Sequence, residues 1–179
     1  ISMKKKISEN YLKEQRRLHK VNNNYGSASL AHIQTIKNLM TETNTKTLSD
    51  YGAGKKNLYK GLLDLGHSNF EYFAYDPVFP EYGLPKKAEL VCCIDVMEHI
   101  ELEFLDEILD EIKDITLRFC YFSIATIPAK KVLSDGRNAH IIQQPSRWWL
   151  LKLCKLFNIE FLKNTSSGFI VLCKSLNNR

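Results

Sequence analysis

Three acids and two glycines stand where a strand-end binding site would need them. The segment Thr47-Leu48-Ser49-Asp50-Tyr51-Gly52-Ala53-Gly54-Lys55-Lys56 reads as a short strand closing on an acid, then a glycine turn, then a helix start. Gly52 and Gly54 let the backbone approach a bound ligand closely, where a Cβ would block it. A lone Gly-x-Gly is weak evidence, and its weight comes from Asp76 and Asp95, which close two later apolar runs. His140, in the loop after a later strand, is a candidate general base, and a loop-ordering hydrogen bond is the plainer reading. His99 follows an acid at an expected helix start and reads either as a substrate contact or as a cap partner. Glu98 divides the same way. Arg137 and Asn138 suit an anionic or amide-bearing substrate, although Asn138 beside Gly136 also suits a turn. His19, His32 and His67 read as surface or helix-packing residues.

Other chemistries find no support. There is no G-x-x-x-x-G-K-[ST] and no G-x-S-x-G. A dinucleotide fingerprint would want a third glycine where Asn57 stands. The five cysteines (Cys92, Cys93, Cys120, Cys154, Cys173) form no C-x-x-C pair and lie in apolar stretches. They read as small core residues in a reducing compartment, with neither a disulfide framework nor a metal site expected.

The elements that must position these residues follow from periodicity. Residues 3–20 read as a basic helix, broken at 21–26. A second helix opens near Ser27 or Ser29, with Leu30, Ile33, Ile36, Leu39 and Met40 at helical spacing. Strand one is expected near 46–50, then a helix near 56–65 with Leu58, Leu62 and Leu65 inward, stopped by Gly66. Strand two is expected over 70–76. Residues 89–94 form a continuous apolar run suited to a central parallel strand. A helix over 101–115 shows Leu102, Leu105, Leu109, Ile112 and Ile115 on one face. A strand near 118–126 leads through a loop to a Pro145-initiated helix reaching Phe157. One of Trp148 and Trp149 is expected to be buried and the other to cover the mouth of the site. Strands near 158–164 and 169–174 close the chain as a hairpin. The alternation predicts an α/β, Rossmann-like, mostly parallel six-stranded sheet with helices on both faces and a C-terminal antiparallel hairpin. Ligands bind such sheets at the carboxyl ends of the strands, where Asp50, Asp76 and Asp95 fall.

These pieces resemble the class I S-adenosylmethionine-dependent methyltransferases, over about residues 25–174. The resemblance rests on Asp50-Tyr51-Gly52-Ala53-Gly54, on Asp76 ending strand two, and on Asp95-Val96-Met97-Glu98-His99-Ile100. Asp135-Gly136-Arg137-Asn138-Ala139-His140 and Trp148-Trp149 resemble a short, uncharacterised bacterial and phage branch. The resemblance implies S-adenosyl-L-methionine as cofactor. Asp50, Gly52 and Gly54 would line its methionine end, Asp76 would hold the ribose hydroxyls, and Asp95 and Val96 would sit beside it. Tyr25 and Gly26 would reach the methionine carboxylate, and Pro77 would border the pocket. Two departures stand out. Lys56 takes the place of a frequent third glycine. Only eleven residues, Pro77 to Lys87, separate Asp76 from the next strand, while a crossover alone needs about a dozen. The usual third strand is therefore expected to be missing, with Phe79, Tyr82 or Leu84 forming an improvised adenine wall.

The expected activity is methyl transfer to a small acceptor with an anionic part. The alternatives are a nucleic-acid methyltransferase, or a cofactor-binding regulatory protein without turnover. Residues 1–20 hold seven Lys/Arg against two Asp/Glu, which accounts for the whole net charge of +5. That basic segment would supply phosphate contacts to a nucleic acid, but no N-P-P-Y-like or D-P-P-Y-like tetrapeptide follows the strand over 89–94, where Asp95-Val96-Met97-Glu98 stands instead. Beyond it, Glu89 to Asp114 is acidic and Arg118 to Arg179 is basic. This reads as solvated surface or as a rim attracting an anion. No apolar run nears the roughly 18 residues of a membrane span, and no secretory signal is read, so the expected location is cytoplasmic. Ile1-Ser2 ahead of Met3 read as a cloning remnant and stand outside the fold reading. Residues 3–45 are expected to form a helical segment covering the site, and 46–179 the Rossmann-like core, within one compact domain. The sequence does not fix the oligomeric state.

Overall fold

The structure is a computed structural model, and it describes residues 6–21 and 27–176. Its centre is a six-stranded sheet of β1 (Thr47–Tyr51), β2 (Glu71–Tyr75), β3 (Ala88–Ile94), β4 (Thr116–Ala125), β5 (Phe157–Asn164) and β6 (Gly168–Ser175). The order is β2-β1-β3-β4-β6-β5. The first four strands are parallel, and β6 runs antiparallel to both β4 and β5.

Alternation along β3 divides the core between the two faces. Leu90, Cys92 and Ile94 pack with Leu48 and Tyr121 against α2 (Ile33–Glu42) and α3 (Asn57–Asp64). Val91 and Cys93 pack on the other face against α4 (Leu105–Ile115) and α5 (Ser146–Leu153). Burial on both faces is why this strand is apolar without a break. β6 alternates buried and half-buried positions, whereas β5, at the edge, is mostly exposed. Its Glu160 and Lys163 place charge on an open edge, which discourages pairing with another chain.

Helix boundaries differ from expectation where 3₁₀ turns intervene. Leu102 lies in the turn Leu102–Phe104 ahead of α4 and is exposed. A 3₁₀ turn advances three residues per turn, so Leu102 falls out of phase with the apolar face of Leu105, Leu109, Ile112 and Ile115. Leu30 is exposed for the same reason in the turn Ala28–His32, and Leu65 is exposed just past the end of α3. The last helix stops at Leu153, because Phe157 enters the core as the first residue of β5. Trp149 is fully buried. Trp148 packs against the same core under Lys152 and is not part of the cavity lining. Four cysteines are buried and Cys154 is exposed, each of them free.

Residues 77–87 contain a single 3₁₀ turn, Pro80–Tyr82, and no strand, so the sheet ends at β2. The N-terminal helix α1 (Glu9–Val21) lies across the carboxyl end of the sheet. Its Tyr11 and Leu18 pack with Leu133 and Ala139 of the loop between β4 and α5. Polar staples fix it there: Ser8 N–H and Oγ donate to the Glu101 carboxylate, and Ser134 N–H and Oγ donate to that of Glu14. Among the described residues no helix is long and apolar enough to cross a membrane.

Candidate functional site

A cavity of about 530 Å³ opens at the carboxyl ends of β1, β2, β3 and β4, within the size range of small-molecule and cofactor sites. The cradle on the β1–β2 side is built locally. After β1 the chain turns through Gly52 and Gly54, both at positive φ. Gly52 N–H and Ala53 N–H both donate to the Tyr75 carbonyl, which ties the turn to the end of β2. A Cβ on Gly52 would lie 2.3 Å from Val96 Cγ2, so a side chain there needs both a displaced Val96 and a strained backbone.

The carboxylates sit where this turn needs them. Asp76 Oδ2 accepts from Gly54 N–H and Oδ1 from Val78 N–H, each at 2.9 Å. Each oxygen keeps a further lone pair. Asp50, deeper in the sheet, accepts from the Tyr72 hydroxyl at 2.6 Å. Burial pushes the Asp50 carboxyl up to about 7, against the pull of that hydrogen bond, and the nearby Asp76 adds to the rise. Asp76 is also raised by burial, although the two backbone N–H groups oppose it. Asp95 ends β3 in the left-handed conformation, φ 58°, and its carboxyl lies beside that of Glu98.

The opposite wall is assembled from distant segments. Glu98 and His99 occupy the 3₁₀ turn Met97–His99 rather than a helix start, and Glu98 is wholly buried. Its Oε1 accepts from Ala125 N–H at 2.8 Å, and its backbone carbonyl takes Ile142 N–H. Burial, then the neighbouring Asp95, hold its carboxyl well above the usual range. His99 Nδ1 meets the Ala139 carbonyl at 2.8 Å, and His140 Nδ1 meets the Ile127 carbonyl at 2.6 Å. A carbonyl only accepts, so each ring bears a proton on Nδ1, and Nε2 is the nitrogen that holds the lone pair in the neutral ring. The two rings meet edge to face with centroids 4.8 Å apart. Burial and the proximity of His140 push His99 down to about 4, with Asp95 partly opposing.

The structure brings Asp50, Gly52, Gly54, Asp76, Pro77, Asp95, Val96, His99 and His140 to one cavity. Tyr25 and Gly26 lie outside the described residues. Arg137 and Asn138 do not line the cavity. Arg137 pairs with Asp135 at 2.7 Å and lies over the Tyr11 ring. Asn138 staples the loop, its Oδ1 accepting from Ala129 N–H and His140 N–H and its Nδ2 donating to the Ala129 carbonyl. The expected adenine wall is also different. Phe79 and Tyr82 stack on each other, Tyr82 donates to the Gly54 carbonyl, and Leu84 is exposed, while Pro77 and Val78 face the cavity.

Sequence reasoning named none of the α1 side chains that line the cavity, and it read His19 as a surface or packing residue. Tyr11, Gln15 and His19 reach the cavity from this helix. His19 packs its ring edge to face on Phe79. Burial, helped by Lys55 and Lys131, lowers its pKa to about 4, so the ring is neutral. Ser27 and Ser29, just beyond, also line the cavity. The available signal was the strength of the α1 amphipathic pattern, which names the inward residues but not their target.

No family model matches the chain, and no curated protein matches it. Solved structures do. The 1,6-didemethyltoxoflavin-N1-methyltransferase of Burkholderia thailandensis, solved with 1,6-didemethyltoxoflavin and S-adenosylhomocysteine, aligns over 98% of this chain and 93% of its own, with a TM-score of 0.64 and 11% identity. The magnesium protoporphyrin IX methyltransferase of Synechocystis, solved with S-adenosylhomocysteine, aligns over 93% and 94%, with a TM-score of 0.54 and 14% identity. An O-methyltransferase family protein from Burkholderia thailandensis aligns over 90% of this chain, with a TM-score of 0.57 and 10% identity. This chain spans 63% of the length of that last protein. The fold is thus the Rossmann-like fold of these methyltransferases, with the strand order and terminal hairpin described above.

Proposed function

We propose that the protein is an S-adenosylmethionine-dependent methyltransferase acting on a small-molecule acceptor. The observation that carries this reading is the cradle formed by Asp50, Gly52, Gly54, Asp76, Asp95 and Val96 at three adjacent strand ends, in a fold shared with proteins solved with S-adenosylhomocysteine. In this reading the free lone pairs of Asp76 take the ribose hydroxyls, since an ionised carboxylate accepts from two neighbouring hydroxyls. The Gly52–Gly54 turn lets the methionine portion lie against the backbone, and Val96 packs over it. Asp50 stays ionised when the ligand's positive charge is nearby.

The acceptor would enter between α1 and the loop over 126–145, both of which line the cavity opposite the cradle. Methyl transfer is an in-line displacement. The acceptor's lone pair forms the new bond to carbon as the sulfonium sulfur takes the electrons of the bond that breaks. Positioning supplies much of the acceleration. In this reading His140, which lines the cavity and holds the Ile127 carbonyl through Nδ1, takes the proton of an acceptor hydroxyl on Nε2. The N-terminal segment 3–45 then acts as the cover of the site and 46–179 as the core.

The test is thermal melting with S-adenosylmethionine, S-adenosylhomocysteine and NAD, followed by a tritiated-methyl survey of metabolite, nucleic-acid and protein fractions. A ligand of the folded state raises the melting temperature by mass action. The expected result is a shift with the first two compounds and label in the metabolite fraction. A shift with NAD alone would overturn the assignment. Label in nucleic acid would move the acceptor class, and binding without any labelled product would make the protein a binding module.

A further inference from the structure

We propose that Glu98, His99 and His140 form a binding site for a divalent first-row transition cation on the acceptor side of the cavity. One ligand-capable atom from each of the three lies within 4.8 Å of the others. Donors about 2.0–2.2 Å from one cation lie at most about 4.4 Å apart, so the trio needs only a slight contraction.

Three independent features prepare the trio for a cation. Each imidazole donates from Nδ1 to a backbone carbonyl, His99 to Ala139 and His140 to Ile127. This is the arrangement that fixes a metal-ligating histidine and turns its Nε2 lone pair outward from the supporting bond. Glu98 is fully buried, and its Oε2 has no hydrogen-bond partner among the described residues, while Oε1 is held by Ala125 N–H. Oε2 lies against the Asp95 carboxyl and not against an N–H donor, and a buried carboxyl oxygen without such a donor is a place where a cation recovers free energy. The carboxyl of Asp95 lies alongside, and two carboxylates side by side attract positive charge between them.

The donor set selects the ion class. Two imidazoles and one carboxylate suit manganese, iron, cobalt or zinc better than magnesium or calcium, which favour oxygen donors throughout. Three protein ligands also leave coordination positions open, as catalytic sites do. The histidines line the cavity, so an open position faces the space assigned to the acceptor.

The role of the cation, unlike its binding, rests on the methyltransferase reading. A bound hydroxyl of the acceptor loses its proton to solvent more readily. Its oxygen then supplies the electron pair to the methyl carbon while the sulfonium sulfur keeps the pair of the broken bond. His140 would act on the acceptor through the cation, as a ligand.

Binding is tested on the full chain, freed of metal by chelation, with Mn²⁺ alone as the probe. Electron paramagnetic resonance follows loss of the free Mn²⁺ signal on titration. The expected result is one Mn²⁺ per chain, with nitrogen hyperfine couplings from imidazole, displaced by Zn²⁺. Altering a neighbouring support costs metal sites about 10–100-fold, so His140→Ala, in a surface loop, and Glu98→Gln should each weaken binding by more than about tenfold. His67→Ala, in the turn before β2 at the opposite end of the sheet, should leave it unchanged. Circular dichroism and melting check that each variant is folded. His140→Ala carries the test should Glu98→Gln fail to fold. Absence of stoichiometric binding, or binding that His140→Ala leaves intact, overturns the proposal. Titration with S-adenosylhomocysteine on the same samples separates the two ideas. Mn²⁺ binding without cofactor binding would keep the metal site and remove the methyltransferase reading, and the reverse would do the opposite.

Discussion

The two walls of the cavity are built by different means. The cradle comes from short, consecutive pieces of chain: the end of β1, the glycine turn, the end of β2 and the end of β3. Backbone hydrogen bonds set its geometry, since the Tyr75 carbonyl and the Asp76 carboxylate between them hold Gly52, Ala53, Gly54 and Val78. The facing wall joins α1, the Met97–His99 turn and the loop before α5, segments up to about 130 residues apart in a chain of 179. Side-chain staples hold it, chiefly Glu14 with Ser134 and Ser8 with Glu101. A wall fixed by backbone geometry tolerates little change. A wall joined by polar staples over one small apolar cluster (Tyr11, Leu18, Leu133 and Ala139) opens more readily than one set within the sheet. That difference suits a constant cofactor on one side and an exchangeable acceptor on the other.

The largest expected effect falls on the cradle. Gly52→Val should abolish measurable binding of S-adenosylhomocysteine by calorimetry and destabilise the fold by about 1–3 kcal/mol, from the left-handed φ and the contact with Val96. Adding Val96→Ala should recover part of the stability and none of the binding. Full recovery of binding would show that space, and not the glycine backbone, defines the cradle. Asp76→Ala should weaken the same ligand by about 1–3 kcal/mol through loss of charge-assisted hydrogen bonds, and an unchanged affinity would take Asp76 out of the ribose contact. On the facing wall, His140→Ala should lower turnover by about 10²–10⁴-fold with cofactor affinity nearly unchanged. A parallel loss of cofactor affinity would mean that the two walls are not separable.

Asp50 gives the comparison a pH signature. Its folded pKa of about 7 stands above the ordinary aspartate value, so between about pH 4 and pH 7 the folded state holds a proton that the unfolded state has released. This contribution is present at low pH and is lost as pH rises through 7. Asp50→Asn should therefore raise the melting temperature at pH 8 more than at pH 5, and it should weaken the cofactor. Cofactor binding near pH 6 should release protons from this group, measurable by calorimetry in buffers of different ionisation enthalpy. Equal effects of the substitution at both pH values would show that Asp50 is already ionised at the lower one.

The same division explains what was legible in the sequence. β3, the glycine turn and the missing strand over 77–87 were readable because each rests on local pattern: an unbroken apolar run, a turn requirement, a gap too short for a crossover. Asp50, Asp76 and Asp95 followed from where those strands end. The facing wall was not readable. Arg137 is taken by Asp135, two residues away in the turn at Gly136, but nothing near Asn138 signals that Ala129 engages its side chain, and nothing near His19 signals the glycine turn it covers. Phe79 and Tyr82 have the right residue types for a ligand wall, yet they spend their rings on each other. Side-chain partners brought together by tertiary packing leave no spacing rule to read.

The smallest expected effect tests whether a departure inside the cradle is structural or functional. Lys56 replaces an often-present glycine, and it adopts the conformation a glycine would favour, φ 58°. A non-glycine residue there costs about 1–2 kcal/mol. Its ammonium lies 4.1 Å from the centre of the Tyr82 ring, an interaction that returns about 0.5–1 kcal/mol at an exposed site. Tyr82 in turn holds the Gly54 carbonyl, so the lysine braces the chain segment that stands where a third strand is lacking. Lys56→Gly relieves the strain, loses the ring contact and adds chain entropy to the unfolded state. These terms nearly cancel, and the net change should be within about 0.5 kcal/mol by denaturant titration. Tyr82→Phe keeps the ring under Lys56 and removes only the bond to Gly54. It should cost about 1 kcal/mol of cofactor affinity and little stability. If Lys56→Gly instead costs well over that amount in cofactor affinity while stability holds, the lysine contacts the ligand, and the cradle is not a purely backbone-defined wall.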